Sequence, residues 1–407
     1  PMNLLSDLPQ AQRRAIDLVK EVAVEKDCHP YLVGGPVRDI LHGRPAIDVD
    51  LTLEIGGSTL ARAIAKRIDG RVRSFPQFLT YKVTAPEFPE IDIATARKER
   101  YRHPGALPAV AAGRLRDDLM RRDFSINAIA FDLLTGTLHD PTEGSADIER
   151  RVVRVLHEKS FVDDPTRIFR AIRLAVRLGF TLDEQTDRLM NEAIEGGAMT
   201  TISKERIWRE LFLAMDEAEA PAVLTELSSR GALHVLFGRR GSDELRRRLE
   251  MLREQMSRTP EVDRYVIYTG ALLHGDASPI DFEGSGFSQK RARIVVEIAN
   301  ELPRVAETVV GAPDDRERFR IYRSLSHEML AVLAAEHPEQ RDHLRHYHDF
   351  ERFTIPLRGN DLEVPGGPHV ARALEETRAA VFSGEVAPED ARTYARQVAR
   401  RFLEETR

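Results

Sequence analysis

Hydrophobic and polar residues alternate in two ways along the first third of the chain, and together the two patterns predict a mixed α/β region. Apolar residues recur at helical spacing over Leu4–Val24, and short runs with the two-residue period of strands follow. The predicted strands are Tyr31–Val33, Ile47–Leu53, Arg71–Ser74, Tyr81–Thr84, Glu90–Ala94 and Ala130–Leu134. They predict a small sheet with one or two helices on one side.

From about Asp147 onward the hydrophobic spacing is that of helices. The strongest pattern covers Asp164–Leu178, with Pro165 near its start and Gly179 at its end. The other predicted helices are Ile202–Ala214, Pro221–Ser229, Ser242–Met256, Arg264–Leu273, Gln289–Leu302, Arg316–Ser324, His327–Ala335, His369–Phe382 and Pro388–Glu405. The segment Pro356–Pro368, rich in Pro and Gly, predicts a loop. We therefore expect an α+β head followed by an all-helical remainder.

Composition excludes several classes of protein. Hydrophobic residues make up 42% of the chain and charged residues 31%, as in soluble globular proteins, and no apolar run is long enough to cross a membrane. The first residues lack the pattern of a secretory signal. The one cysteine, Cys28, excludes an internal disulfide and a cysteine-built zinc site. These features predict a cytoplasmic protein with no membrane partner and no evident protein partner.

The net charge of −6 argues against a protein that coats nucleic acid through bulk charge. Arginine is nevertheless clustered locally, as in Arg239–Arg258 and Lys290–Arg293. These clusters could neutralise phosphates, or they could be solvated helix faces. Charge alone leaves both interpretations open.

A glycine pair, Gly34-Gly35, lies between the first predicted strand and a predicted helix over Val37–Leu41. Glycines at such a turn let backbone N–H groups approach a phosphate closely, and the start of a helix adds a partial positive charge. Arg38, in the first helical turn, can reach the same anion. By itself a glycine pair before a helix is usually no more than a turn.

Two aspartates, Asp48 and Asp50, alternate on the next predicted strand and are expected to point from the same face, with Ile47 and Val49 on the opposite face. Paired carboxylates of this kind can hold two Mg²⁺ ions, which prefer oxygen ligands. Such ions lower the pKa of an attacking hydroxyl and stabilise a leaving pyrophosphate. An isolated Asp-x-Asp is more often a surface feature.

The helix that follows Asp164 carries three arginines, Arg167, Arg170 and Arg173, at three-residue steps along one ridge. The Asp164 carboxylate could accept a hydrogen bond from the amino group of cytosine or adenine, while Arg167 donates to a ring nitrogen. Such a pair would reject uracil and guanine without a nucleic-acid template. The alternative is that Asp164 only caps the helix and pairs with Arg167.

In combination these motifs resemble the DNA polymerase β-like nucleotidyltransferases, specifically the class II, or bacterial-type, CCA-adding enzymes and their poly(A) polymerase relatives. The resemblance rests on Leu32-Val33-Gly34-Gly35-Pro36-Val37-Arg38-Asp39, then Gly43-Arg44, then Asp48-Val49-Asp50. It implies a polymerase β-like head with a small mixed sheet at 1–146, a helical neck at 147–215 that selects nucleotides, a helical body at 216–305, and a helical tail at 306–407 that binds tRNA.

The segment Arg121-Arg122-Asp123-Phe124-Ser125-Ile126-Asn127-Ala128 is similar to the second motif of this family. The resemblance implies that Arg122, Asp123 and Asn127 bind the phosphates and ribose of the nucleotide. Without the first motif, a basic helix start capped by Asp123 would be the better interpretation.

The segment Asp163-Asp164-Pro165-Thr166-Arg167 resembles the family's amino-acid template, normally Glu-Asp-x-x-Arg, with Asp163 in place of the glutamate. The shorter side chain leaves the role of Asp163 open. The resemblance implies that Arg170 and Arg173 support the phosphates or the base-selecting pair. Lys204–Leu211 resembles the neck helix that closes the pattern, and we expect it to brace the template helix.

The function implied by the resemblance is addition of CTP- and ATP-derived nucleotides to the 3′ end of tRNA, with two Mg²⁺ ions on Asp48 and Asp50. The same motifs also serve enzymes that add only CC, only the final A, or a poly(A) tail. Arg97–Asp118 corresponds to the family's flexible loop, which is linked to the switch from C to A addition. Together with Asp164–Arg170, this region resembles the partial-adding branch in part. A catalytically silent RNA-binding protein is the alternative outside the class, although Asp48 and Asp50 argue against it.

Some relatives carry a phosphohydrolase site with an adjacent His-Asp pair. The nearest candidate here is His274-Gly275-Asp276, where a glycine separates the two. We therefore expect no hydrolase site.

Overall fold

The structure is a computed structural model that describes residues 4–6, 8–238, 243–273, 281–352 and 357–405. The chain divides into two compact units, 1–240 and 241–407. The start of the predicted cluster Arg239–Arg258, the first residue of the predicted loop Pro356–Pro368, and all of His274-Gly275-Asp276 lie outside the described residues.

The first unit combines helices with a seven-stranded sheet and two short two-stranded sheets. Its helices are α1 (Gln10–Glu25), α2 (Gly35–Leu41), α3 (Gly57–Arg67), α4 (Leu115–Met120), α5 (Gly144–Arg150), α6 (Ser160–Asp163), α7 (Thr166–Leu178), α8 (Glu184–Glu195), α9 (Lys204–Met215), α10 (Ala220–Ser229) and α11 (His234–Phe237). Its strands are β1 (Tyr31–Val33), β2 (Val49–Leu53), β3 (Arg71–Phe75), β4 (Thr80–Ala85), β5 (Phe88–Thr95), β6 (Arg97–Arg100), β7 (Ala109–Ala112), β8 (Ala130–Asp132), β9 (Leu138–His139), β10 (Val152–Val153) and β11 (Thr181–Leu182).

The large sheet has the order β3-β4-β5-β2-β1-β8-β9, with β2 parallel to β5 and antiparallel to β1. Strand alternation turns Val49, Leu51 and Leu53 into the core, where α1 and α3 pack on the sheet. Asp50 lies on the opposite face of β2. Each predicted strand is present, with ends that differ by at most two residues.

The residue before the two aspartates departs from the expected alternation. Strand β2 begins only at Val49, and Ile47 is 72% exposed, so the predicted strand alternation, which put Ile47 on the same face as the buried Val49, does not extend to Ile47. The carbonyl of Ile47 accepts a hydrogen bond of 2.7 Å from Nε2 of Gln12, which lies on α1 and is not part of the strand ladder. This side-chain contact holds the backbone before the strand begins.

Much of Arg97–Asp118 has regular secondary structure. Strands β6 and β7 pair as an antiparallel hairpin, and α4 follows, so only residues 101–108 form the connection. Strand β6 was not predicted because its sequence is charged and has no alternating apolar residues. Its partly buried side chains, Arg97 and Glu99, form an ion pair of 3.1 Å instead of an apolar face.

Helix α7 matches its predicted range closely. It begins at Thr166 and ends at Leu178, and Gly179 terminates it with a φ of 69°, in the left-handed region that suits glycine. The apolar face, with Ile168, Phe169 and Ile172 buried, packs against α9 and α10. The opposite face of α7 carries Arg170, Arg173 and Arg177.

Every regular element among the described residues of the second unit is helical. These helices are α12 (Asp243–Arg258), α13 (Arg264–Leu273), α14 (Gln289–Val310), α15 (Asp315–Ser324), α16 (His327–Glu336), α17 (Arg341–Arg352), α18 (Pro368–Phe382) and α19 (Ala391–Glu405). Helix α14 continues through Pro303 because Ala306 and Val309 beyond it are buried. Helix α17 was missed because its sequence is dominated by charged residues and histidine.

The predicted fold class, an α+β head followed by a helical remainder, is confirmed. In the parts of the chain that the structure describes, no helix has the length and apolar character needed to cross a bilayer.

Candidate active site

A cleft of about 920 Å³ in the first unit brings all the sequence-predicted site residues together. They are Gly34, Gly35, Arg38, Asp48, Asp50, Arg122, Asp123, Asn127, Asp164, Arg167, Arg170 and Arg173. Of the described residues that line the cleft, ten are arginines and six are carboxylates. This balance of charge suits an anionic ligand, although the whole chain is acidic.

The two glycines at the start of α2 have different surroundings. Gly34 has a φ of 74°, and a Cβ there would lie 2.6 Å from Nη1 of Arg122. A Cβ on Gly35 would meet only Nη2 of Arg38, at an ordinary 3.6 Å. Gly34 is therefore required by the fold itself, whereas Gly35 leaves open space at the helix N-terminus.

A chain of hydrogen bonds connects α2 to α7 through the second motif. The buried Arg38 donates from Nη1 to Oδ1 of Asn127 at 2.7 Å, and Asn127 donates from Nδ2 to Asp123 at 3.0 Å. The other oxygen of Asp123 accepts from Nε of Arg170 at 2.8 Å. Each side chain in this series of hydrogen bonds is thus oriented by the next one.

The Asp123 carboxylate is buried, which by itself would raise its pKa. The charge of Arg170 and the hydrogen bonds from Asn127 and Arg170 outweigh burial and lower the pKa of Asp123 to about 2. Asp123 therefore remains ionised at neutral pH and does not cap a regular α-helix; a short 3₁₀ turn begins at Ser125.

The negative charges of Asp48 and Asp50 are not matched by direct partners, and at Asp50 the charges of Arg122 and Lys82 offset the repulsion only in part. Neither makes a hydrogen bond or an ion pair with any residue that the structure describes. Burial, followed by the charges of Asp92 and Asp48, raises the pKa of Asp50 to about 6. A divalent cation would relieve this repulsion, and hard oxygen ligands suit Mg²⁺. The residues present therefore fit a metal site.

Asp92 is a neighbour of this pair that sequence reasoning missed. It lies opposite Asp50 in the parallel register of β2 and β5, and Lys82 is 3.4 Å from its carboxylate. Asp92 was visible in the predicted strand Glu90–Ala94, but its position beside Asp50 depends on strand order and register. Within the described ranges, no three His, Cys, Asp or Glu side chains are arranged to hold a metal ion, so the candidate site rests on the Asp48–Asp50 pair.

Arg122 is held by a fully buried carboxylate, Asp118, which accepts from it at 3.0 Å and from Arg121 at 2.7 Å. Arg122 also donates to the carbonyl of Asn127 at 3.3 Å. Its own Nε is buried and has no hydrogen-bond partner in the described part of the chain. Asp118 is a second residue that the sequence did not single out; its spacing of three and four residues from the arginines was the available signal.

At the start of α7 the side chains of Asp164 and Arg167 are close but do not bond to each other. Oδ1 of Asp164 accepts from the backbone N–H and the hydroxyl of Thr166, at 3.2 and 2.7 Å, and from Arg206 at 2.9 Å. Oδ2 has no partner among the described residues. One carboxylate oxygen therefore caps the helix while the other remains available.

Arg167 is buried and donates to Oγ of Ser160 at 2.7 Å and to the carbonyl of Arg121 at 3.2 Å. It has no carboxylate within ion-pair distance among the described residues. The guanidinium is therefore fixed in direction without being neutralised.

Helix α9 braces α7, as expected for Lys204–Leu211. Arg206 of α9 binds both Asp164 and the carbonyl of Gly105, the latter at 2.7 Å. Arg173 of α7 pairs with Glu210 at 3.2 Å and with Glu217 at 3.1 Å. Although Arg173 lines the cleft, its charge is already matched by these carboxylates. The carbonyl of Asp163 accepts from the N–H of Gly105 at 3.2 Å, which ties the 101–108 connection to the same region.

Comparison with known proteins gives a consistent set of similarities. Residues 30–154 match the family model described as the poly A polymerase head domain. An A-adding tRNA nucleotidyltransferase of Halalkalibacterium halodurans is 32% identical over 328 residues, which are 77% of this chain and 77% of that protein. An A-adding tRNA nucleotidyltransferase of Geobacter sulfurreducens is 31% identical over 402 residues, 91% of this chain but 45% of that protein. The chain thus spans less than half of the length of the second relative.

A solved structure is also similar. It is that of a tRNA-processing enzyme with CTP, 26% identical, with a TM-score of 0.72 over 90% of this chain and 100% of that chain. The similarity extends beyond the head into the helical remainder.

Proposed function

The chain belongs to the tRNA nucleotidyltransferase family, and from this premise we propose that it adds nucleotides from CTP and ATP to the 3′ end of tRNA without a nucleic-acid template. One observation carries the proposal: a single cleft contains the glycine turn, the Asp48 and Asp50 carboxylates, and the Asp164–Arg167 pair. These are sites for a triphosphate, for divalent cations and for a nucleobase.

Enzymes of this family generally use divalent metals, and we assign two Mg²⁺ ions to Asp48 and Asp50. When bound there, the ions lower the pKa of the attacking hydroxyl and stabilise the leaving pyrophosphate. The N–H group at Gly35, together with Arg122, binds the triphosphate, while the N–H of Gly34 donates to the carbonyl of Ile129 at 3.2 Å and fixes the turn. The 3′-hydroxyl of the RNA then attacks the α-phosphate, and pyrophosphate leaves.

Base selection is assigned to the start of α7. The free Oδ2 of Asp164 accepts a hydrogen bond from the amino group of cytosine or adenine, and Arg167 donates to a ring nitrogen. Asp123 and Asn127 hold the sugar and phosphates, with Arg38 and Arg170 orienting them. Arg173 supports the arrangement indirectly, by holding α7 against α9.

The four-part division stays a proposal: a catalytic head at 1–146, a nucleotide-selecting neck at 147–215, a body at 216–305 and a tRNA-binding tail at 306–407. A lone cysteine, Cys28, fits a reducing compartment, and we assign the enzyme to the cytoplasm.

A second candidate function is addition of the terminal A alone. It is favoured by the names of the two relatives described above, both A-adding enzymes. CC addition and poly(A) synthesis use the same groups and are further outcomes of the test.

The test is to incubate the protein with Mg²⁺, each labelled nucleoside triphosphate in turn, and tRNAs that end before CCA, after C and after CC. Complete CCA addition predicts incorporation into all three tRNAs. The A-adding alternative predicts incorporation of ATP only, and only after CC. Binding of tRNA with no incorporation under any condition would contradict the enzymatic proposal and favour the RNA-binding protein.

A further inference from the structure

The face of the large sheet opposite α1 and α3 carries a row of charged side chains beside the proposed metal site. Strand register places Lys82 of β4 opposite Asp92 of β5, and Asp92 opposite Asp50 of β2. Register partners point to the same face, and neighbouring strands lie about 5 Å apart. The row therefore has an ammonium group at one end, a proposed metal ligand at the other, and Asp92 between them.

The ammonium group of Lys82 contacts two carboxylates of β5. It forms an ion pair with Glu90, and its Nζ atom lies 3.4 Å from Oδ1 of Asp92. Glu90 and Asp92 are two residues apart and so lie on the same face of the strand. Side-chain exposures of 34% for Lys82 and 48% for Asp92 leave both groups room to move. Lys82 is thus anchored by Glu90 and balances the charge of Asp92.

The contact between Lys82 and Asp92 changes the electrostatic potential at Asp50. A carboxylate that is paired with an ammonium group attracts a nearby cation less strongly, and the ammonium group itself repels that cation. The charges of Asp92 and Lys82 both act on Asp50, in opposite directions. Both effects of Lys82 therefore lower the attraction of the Asp48–Asp50 pair for a divalent ion.

A simpler explanation is that Lys82 only joins β4 to β5, since opposite charges often pair across neighbouring strands. The position of the pair argues for more than that. Lys82, Asp92 and Asp50 line one cavity of about 330 Å³, together with Arg122 of the proposed triphosphate site. The ion pair therefore opens to the same space as the reacting groups, and not to a remote surface of the sheet.

Resting on the proposed function and its metal site, we propose that Lys82 is a positioning residue that holds the Asp92 carboxylate and thereby sets the affinity of the Asp48–Asp50 site for divalent cations. While Lys82 holds Asp92, a divalent ion has two carboxylates to bind instead of three. Phosphate oxygens of the substrate complete the coordination of Mg²⁺ in sites of this kind. The consequence is a site that fills mainly together with a nucleoside triphosphate. Attack and loss of pyrophosphate stay with the groups already assigned.

The experiment measures Mn²⁺ binding to the full chain without nucleotide, from the electron paramagnetic resonance signal of the free ion. Lys82→Met should lower Kd for Mn²⁺ by about 3- to 10-fold, because a neighbouring positive charge is lost and Asp92 is released. Lys82→Arg keeps the charge and should bind Mn²⁺ within about twofold of the parent. Lys82→Met should also lower the Mg²⁺ concentration that gives half-maximal nucleotide addition. Lys82→Gln is a second neutral variant should Lys82→Met fail to fold.

A double-substitution cycle separates the holding of Asp92 from a general effect of charge. In the Asp92→Asn background no carboxylate can be released, so Lys82→Met should lower Kd for Mn²⁺ by less than about twofold. An equal decrease in both backgrounds would show that Lys82 acts only through its charge, and would overturn the positioning role. Lys98→Met is the matched control, because Lys98 forms an ion pair of the same 3.4 Å with Asp117 and lines neither the cleft nor the 330 Å³ cavity. It should bind Mn²⁺ like the parent.

Unchanged or weaker Mn²⁺ binding by Lys82→Met would overturn the assignment. Failure of the proposed function has a different signature, because the parent would then add no nucleotide while the binding measurements still decide the role of Lys82. Failure of the metal site is also distinct: Asp50→Asn would then bind Mn²⁺ as tightly as the parent, and this result would overturn both the site and the role of Lys82.

Discussion

The two glycines at the start of α2 have different roles: Gly34 is required by the fold, and Gly35 by the proposed function. The positive φ of Gly34 and its close contact with Arg122 exclude a side chain even in the free protein. Gly35 has neither constraint, and alanine is the better helix former at the first position of α2. A Cβ on Gly35 is therefore harmless until a ligand approaches the backbone.

We expect Gly35→Ala to keep the melting temperature of the parent while raising KM for the nucleoside triphosphate about tenfold, equivalent to about 1.4 kcal/mol. The reason is that the methyl group occupies space needed by phosphate. Calorimetry and steady-state kinetics measure the two effects separately. Gly366→Ala, where a Cβ meets nothing within 4 Å, is the control. Unchanged KM in Gly35→Ala would mean that the glycine serves only the turn.

Asp50 is a second residue at which a substitution should not lower the stability of the fold but should lower the activity. Its carboxylate is partly buried beside Asp92 and Asp48, and the charges of Arg122 and Lys82 offset only part of the resulting rise in its pKa. Asp50→Asn should preserve or increase stability in the absence of metal, since it removes a charge, and should lower the rate of nucleotide addition by about 100-fold or more. Urea unfolding without metal tests the expected effect on stability, and single-turnover nucleotide addition with Mg²⁺ tests the expected effect on rate. Addition at the parent rate would contradict the metal assignment.

At the scale of elements, α7 begins with a carboxylate that has two uses. Oδ1 of Asp164 caps the helix and binds Arg206, and the free Oδ2 is the proposed acceptor for the base. Asparagine can retain the cap through its oxygen while its amide offers a donor in place of Oδ2. The two uses can therefore be separated by one substitution.

Asp164→Asn should reduce discrimination against UTP by about 5- to 150-fold, the equivalent of about 1–3 kcal/mol for one hydrogen bond. Single-nucleotide addition with all four triphosphates measures this. Asp183→Asn is the matched control, because Asp183 caps α8 through Gln185 and Thr186 away from the cleft. If UTP stays excluded as strongly as in the parent, Asp164 serves as a cap and does not select the base.

The contact between Asp123 and Arg170 connects α7 to the second motif. Its contribution to the free energy of unfolding should decrease at acidic pH. The pKa of Asp123 is lowered to about 2, so its stabilising effect is fully present above about pH 4 and is lost as the pH falls towards 2. Asp123→Asn should cost about 1–2 kcal/mol at pH 7, because Arg170 is half exposed and water screens the pair. Urea unfolding at pH 7, 4 and 3 should show this difference shrinking below pH 4. A difference that is constant with pH would contradict the ion-pair explanation.

For RNA binding by the whole molecule, the distribution of charged residues matters more than the net charge. The chain carries a net charge of −6, yet the cleft is lined by ten arginines and six carboxylates. Bulk attraction to RNA is therefore weak, and binding must depend on a limited number of local phosphate contacts.

This predicts a moderate salt dependence of tRNA binding. The slope of log Kd against log salt concentration should be about 2 to 4, corresponding to about three to five phosphates. Titrations by fluorescence anisotropy between low and physiological salt measure the slope. A slope near zero would contradict electrostatic binding, and a slope near 10 would indicate that many phosphates also contact the protein outside this cleft, as on the proposed tRNA-binding tail at 306–407.

Local patterns in the sequence predicted much of this arrangement. The periods of apolar residues located α7 and six of the seven strands of the head sheet, all except the short β9, since a buried face must repeat with the geometry of its element. Gly34-Gly35 before a helix, and the alternation of Asp48 and Asp50, predicted phosphate and metal chemistry because the relevant groups are near each other in the chain. Their roles stay predictions, although the structure places them in one cleft.

Contacts between distant residues were decided only by the tertiary structure. Asp92 lies beside Asp50 because β5 pairs with β2 in one register, and a shift of one residue would turn Asp92 to the other face. Likewise, the pairing of Arg170 with Asp123 and the exposure of Ile47 depend on how α7 and α1 pack. The sequence by itself thus determined which residue types could perform the chemistry. Packing and strand register determined their partners, because those contacts join segments whose separation along the chain carries no information about their distance in space.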